Sequence, residues 1–215
     1  MRNIIIINLI VSVTCFSLAL SSNTQAQNVV THNKLNYLIN GEPVNGWGVQ
    51  LGDPSSWSTA VSNRRSESAS GKIKVEPGNR NGEGDALEII WDGKKPGQGN
   101  FGIYGNPIDL SNLENDAALF IEIKVVVPPN KDVMIGMDCG YPCGGKVHTG
   151  KNLKQLKRNE WDVLPIPLNC LTKEGLDLKK VNGPILISTD GKLQIEITNI
   201  KLLKLTEGDK GCKAP

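Results

Sequence analysis

Carboxylates, aromatic rings and cysteines are the residues through which this chain could do chemistry. Two carboxyls at a fixed separation can hydrolyse a glycosidic bond. Asp85, Asp92 and Asp138 stand at the ends of strand-like runs close to Trp91 or Tyr141, where such a pair would have to sit. Glu88, Glu122 and Glu196 alternate with apolar residues instead, and a solvated strand face accounts for them. Nucleophilic catalysis has less support: His148 is the one histidine outside the polar stretch that holds His32, and no Gly-x-Ser-x-Gly elbow accompanies it. Gly93-Lys-Lys-Pro-Gly-Gln-Gly99 lacks the Gly-Lys-Ser/Thr spacing of a phosphate cradle and joins two strands rather than a strand and a helix, so it reads as a hairpin loop. The chain is therefore expected not to be an enzyme, with a self-sufficient glycosidase as the minor alternative.

Binding is what the aromatics allow. A pyranose offers an apolar face for stacking and hydroxyls for polar groups, so a sugar site needs exposed Trp or Tyr beside amides, acids or Arg. Trp57, Tyr104 and Tyr141 fall at strand ends or in loops, near Arg64, Asn100 and Asp138 respectively. These six residues are the expected ligand-binding set. The competing account is structural: Tyr141 packs over a turn and Tyr104 completes a strand. Trp91 and Trp161 lie on alternating strands and are expected in the core, and Trp47 is expected to anchor the chain where it enters the fold.

An exported domain is written at the N-terminus. Arg2 precedes an apolar run from Ile4 to Leu20, and Thr24-Gln25-Ala26 supplies the small residues of a signal-peptidase site, which predicts cleavage after Ala26. A membrane span needs about 20 apolar residues and this run is shorter. Lipidation is not expected, because Cys15 lies inside the apolar run. Cleavage leaves 23 basic and 22 acidic residues, well mixed along the chain, which argues against nucleic acid as a partner. No transmembrane span is expected in the mature protein, and the expected location is secreted or periplasmic.

Export leaves Cys139, Cys143, Cys170 and Cys212, an even set that suits two disulfides in an oxidising compartment. Three connectivities are open. Gly-Tyr-Pro between Cys139 and Cys143 is a turn-forming sequence, so Cys139–Cys143 with Cys170–Cys212 is favoured. A zinc site of Cys139, Cys143 and His148 is the alternative, but the matching second cysteine pair of zinc motifs is missing. No cofactor is expected. Loops near Asp53, Asp85 or Asp190 could supply a structural calcium, yet no calcium-loop motif singles out ligands and the metal stays unassigned.

The elements that must position these residues are strands. Leu87, Ile89 and Trp91 alternate with polar neighbours, as do Ile121, Ile123 and Val125, and Leu193, Ile195 and Ile197. Strands are expected near 72–76, 85–92, 101–105, 118–127, 132–139, 160–168, 184–189 and 192–205, about eight in all. Asp190-Gly191 is expected to close a tight hairpin between the last two. Short helical turns are expected to start at Asp109-Leu-Ser-Asn-Leu113 and at Thr172-Lys-Glu-Gly175. The fold class is all-β, a β-sandwich or jelly roll with few helical turns. Residues 27–45 read as a polar lead-in, partly loose over 27–40, 46–205 as one domain and 206–215 as a tail.

Gly46-Trp-Gly-Val-Gln-Leu51, Asp85-Ala-Leu-Glu-Ile-Ile-Trp-Asp-Gly93, Ile108-Asp-Leu-Ser111, Met137 through Val147, and Trp161 through Asp177 follow one another in a specific order. In that order they resemble the galactose-binding-like domain at the C-terminus of bacterial ExoP-type glucosidases of glycoside hydrolase family 3. The resemblance implies a noncatalytic β-sandwich that packs beside a β-glucan-cleaving site, here as a stand-alone secreted protein without the catalytic domains. It makes a polysaccharide or oligosaccharide, β-glucan above all, the expected ligand, and a separately encoded glycoside hydrolase an expected partner. A structural or protein-interaction sandwich without sugar binding is the alternative.

Overall fold

The structure is a computed structural model, in which residues 35–212 are described; the signal sequence expected over residues 1–26 lies outside them. Among the described residues no helix is long and apolar enough to cross a membrane. In chain order the strands are β1 (Asn36–Ile39), β2 (Glu42–Pro43), β3 (Gly48–Asp53), β4 (Ser56–Ala60), β5 (Ser66–Glu67), β6 (Ile73–Gly78) and β7 (Ala86–Trp91). They continue as β8 (Gly99–Tyr104), β9 (Ala117–Val127), β10 (Met134–Asp138), β11 (Gly144–His148), β12 (Trp161–Pro167), β13 (Gly183–Thr189) and β14 (Leu193–Lys204). Two short helices, α1 (Gly150–Gln155) and α2 (Leu168–Thr172), fill connections.

Two antiparallel sheets face one another. The first runs β12-β9-β14-β7-β6-β5, with β1 and β2 attached through β14, and the second runs β11-β10-β13-β8-β3-β4. Period-two patterning puts Ile89, Trp91, Ile121, Ile195 and Ile197 on the inner side of the first sheet, against Leu51, Phe101, Ile103, Ile135 and Ile187 of the second. Trp91 is fully buried, and its indole donates to the Gly99 carbonyl at 2.9 Å, so the largest core side chain leaves no polar group unsatisfied.

Every strand expected from the pattern is present, and six further ones accompany them. The lead-in is more ordered than its polarity suggests. Tyr37 and Leu38 of β1 are fully buried, and the Tyr37 ring meets Trp47 edge to face at 5.4 Å, which explains how Trp47 anchors the chain. Asp190-Gly191 does not close a hairpin. It carries the chain from β13 in the second sheet to β14 in the first, and the loop from Asp92 to Gly99 likewise crosses between sheets. Turn dipeptides specify a reversal of direction, whereas the pairing partners are decided by which neighbours bury the apolar side. Asp109 does start a helical turn, accepting from the Ser111 amide and hydroxyl. Thr172 instead ends α2, its hydroxyl donating to Glu114 at 2.8 Å.

A buried lysine ties the crossing loops together. Lys72 is fully buried, and its ammonium donates to the carbonyls of Asp92, Lys95 and Asp190 at 2.8, 2.9 and 2.9 Å. All three donor positions of the ammonium are thereby used, which is what a buried charge requires. Cys139–Cys143 and Cys170–Cys212 are joined, with Cα separations of 5.1 and 4.9 Å. That pairing removes the thiolates a zinc site would need, and His148 pairs with Asp132 instead.

Candidate binding groove

The outer face of the second sheet carries an open groove among the described residues, and the register of its strands sets out what lies there. One line crosses the strands through Ala60, Gln50, Gly102, Leu186, Gly136 and Lys146. A second line, two residues along, crosses through Gly52, Asn100, Ser188, Met134 and His148. Because side chains two apart share a face, both lines point away from the core. Together with the β10–β11 loop they bound a groove of about 820 Å³.

Two glycines keep the first line low. A Cβ on Gly102 would stand 2.5 Å from the Tyr104 ring, so the ring lies down along its own strand. At Gly136 a Cβ would come within 2.8 Å of the Lys146 backbone and side chain, so the lysine stem rests where a side chain would otherwise rise. The Tyr104 hydroxyl donates to Asp138 Oδ2 at 2.9 Å. Burial, and then the negative charge of Asp138, push the phenol well above its ordinary range, so it remains a donor at any physiological pH.

Exposed aromatics stand at the two ends. Trp57, on the edge strand β4, is 58 % exposed, and Tyr141, in the β10–β11 loop, is fully exposed. The Cys139–Cys143 bridge closes that loop, aided by bonds from the Cys143 amide to the Gly140 carbonyl and from the Cys139 amide to the Cys143 carbonyl. Between the ends, Asn100 Oδ1 and Asn182 Oδ1 on the groove lining are buried and have no hydrogen-bond partner in the protein. Such atoms cost free energy unless a ligand or water completes them.

Of the six residues expected to bind, the groove brings together Trp57, Tyr104, Tyr141, Asn100 and Asp138. Arg64 is elsewhere: it follows Trp57 in sequence, but its guanidinium turns to Glu42 at 2.9 Å and does not line the groove. Asp85 and Asp92 also lie outside it. The Asp85 carboxylate accepts the amides of Arg80, Asn81 and Gly82, which hold its pKa low, and Asp92 accepts the Lys94 amide. Gln50, Asn182, Leu186 and Glu174 line the groove without having been singled out. The alternation of Gln50 with Val49 and Leu51 was the available signal. Trp161, expected in the core, lies instead on the outer side of the first sheet with Arg80 and Lys124 over its ring at 5.3 and 5.2 Å. Among the described residues no three His, Cys, Asp or Glu converge as metal ligands. Asp53 is buried, and its carboxylate accepts from Ser55, Ser56 and Ser70.

Residues 45–202 match the sequence model of the Exop_C family, described as galactose-binding domain-like. The chain belongs to that family. Among solved structures it resembles the extra C-terminal domain of exo-1,3/1,4-β-glucanase (ExoP) from a Pseudoalteromonas species. That match has a TM-score of 0.66 at 14 % identity and covers 84 % of this chain and 98 % of that one. Against the whole ExoP enzyme the TM-score is again 0.66 at 15 % identity, with 84 % of this Exop_C chain covering 21 % of the enzyme. The family 30 carbohydrate-binding module of a cellulosomal cellulase of Clostridium thermocellum matches at a TM-score of 0.57 and 18 % identity, over 81 % of this chain and 98 % of the module. No curated protein matches by sequence. These likenesses give the Exop_C domain a carbohydrate-binding-module-like fold.

Proposed function

We propose that this domain binds β-glucan chains in the groove of the second sheet and leaves their bonds intact. The observation that carries the reading is the pair of buried, unpartnered amide oxygens on Asn100 and Asn182 of the groove lining, set between two exposed aromatics. A polyhydroxyl ligand with stackable rings answers both features at once. Glycoside cleavage would need a free pair of acids. Asp138 and Glu174 are the carboxyls on the groove lining, and Asp138 is committed to the Tyr104 hydroxyl. Two disulfides suit an oxidising compartment, so the domain acts outside the cytoplasm, alongside a separately encoded hydrolase.

Affinity electrophoresis through laminarin, mixed-linkage glucan and cellulose tests the reading. The wild-type protein is expected to be retarded on at least one of them, and the Trp57→Ala/Tyr141→Ala variant to run as in a glycan-free gel. Equal migration of the two proteins on every polysaccharide would remove the binding site. Release of reducing sugar would remove the noncatalytic half of the proposal.

A further inference from the structure

Resting on that reading, we infer that the groove takes an interior stretch of a neutral glycan, about four sugars long, laid obliquely across the strands from Trp57 to Tyr141. The direction follows from the register. The line through Gln50, Gly102, Leu186, Gly136 and Lys146 crosses from β3 to β11, with Trp57 beside Gly52 on one side of it and Tyr141 beyond Asp138 on the other. Its floor is continuous and apolar: the recumbent Tyr104 ring beside Gly102, then Leu186, then the stem of Lys146 beside Gly136. Polar groups flank this floor on both sides, Asn100 along one and Asp138 and Asn182 along the other. Apolar floor with polar flanks is what a pyranose chain needs, since its ring faces are apolar and its hydroxyls project from the ring edges.

Length follows from the strand spacing. Four spacings separate β4, which carries Trp57, from β10, which leads to Tyr141, and that is about 19 Å. One strand spacing is close to the advance of one pyranose in an extended chain, so the two aromatics stack on sugars at either end of a short oligomer. Both ends are exposed side chains rather than walls, so the site does not require a chain terminus. Charge selects the neutral class. The unpartnered atoms of Asn100 and Asn182 are acceptors, and the carboxylates of Asp138 and Glu174 face the same space. Hydroxyl donors satisfy them, whereas a uronate or sulfate meets like charge with Lys146 as the one cation on the lining.

Titration calorimetry with a ladder of β-glucan oligosaccharides from disaccharide to heptasaccharide tests this. Affinity is expected to climb to about the tetrasaccharide and then level. A hexasaccharide reduced to its alditol is expected to bind as the parent does, and Trp57→Ala and Tyr141→Ala are each expected to weaken hexasaccharide binding about 5- to 10-fold. A carboxymethylated glucan is expected to bind more weakly than its parent. Full affinity already at the disaccharide, loss on reduction, or equal binding of the carboxymethylated chain would overturn the inference while leaving glucan binding standing. Failure of every neutral glucan at every length would instead remove the glucan reading beneath it.

Discussion

Both sheets turn one face to solvent, and the two faces handle their polar groups in opposite ways. On the first sheet Glu122 receives Arg80, Asn199 and Lys201, Lys124 pairs with Glu196 at 2.8 Å, and Gln194 donates to Glu88 at 2.6 Å. Trp161 is roofed by two of these cations. Glu196 Oε2 is the one buried side-chain oxygen of this ladder without a partner. On the second sheet the aromatics are bare, and the amide oxygens of Asn100 and Asn182 are unpaired. The first face is largely charged and the second largely neutral, and they differ also in whether the groups answer one another. A face that satisfies itself contributes to stability, and a face that does not is available to a ligand.

The contrast predicts opposite outcomes for substitutions on the two faces. Glu122→Ala leaves Arg80, Lys201 and Asn199 without their shared acceptor, and the expected loss is about 2 kcal/mol in urea denaturation with glucan affinity unchanged. Asn100→Ala removes an atom that the folded protein leaves unpaired. Glucan affinity is expected to fall about tenfold while the urea midpoint holds or rises. A midpoint that falls along with the affinity would show that Asn100 supports the sheet itself.

The smallest effect expected is in acid. Burial pushes the Glu122 carboxyl up, but hydrogen bonds from Asn199, Arg80 and Lys201 outweigh it and hold its pKa below the ordinary value. A carboxyl depressed in the folded state contributes stability above its unfolded pKa, about 4.3, and that contribution is lost as the pH falls through the lower folded value. Glu122→Gln is therefore expected to flatten the acid limb of a plot of stability against pH below the unfolded pKa of about 4.3. Asp53 acts in the same direction, because its Ser68 and Ser70 contacts and backbone amides overcome its burial, so some of the limb is expected to survive.

Strands buried on one side announced themselves in the sequence. In β7, β9 and β14 an apolar residue at every second position marks the core and leaves Glu88, Glu122, Gln194 and Glu196 on the outer side. Three strands of the second sheet were missed. Gly52 in β3 and Gly144 and Gly145 in β11 supply no side chain to signal alternation, and β4 is a polar edge strand, whereas β8 and β10 were read despite Gly102 and Gly136. The groove aromatics were legible because they stand at strand ends or in loops. Arg64 was misplaced because nearness to Trp57 in sequence says nothing about the direction of the chain after β4, which carries it toward Glu42. Trp161 alternates as a core residue does, and the residues that shade it, Arg80 and Lys124, come from distant parts of the chain. Neither sheet assignment nor long-range ion pairing is encoded in local periodicity.

Lys72 gathers three carbonyl oxygens from two connections into a cluster of the sort that hard metal ions also occupy. A positive charge bonded to the chain is not subject to dilution, exchange or sequestration, so its occupancy is fixed when the polypeptide folds. The corner of the sandwich where the chain passes between layers is thus held without drawing on any ion from solution.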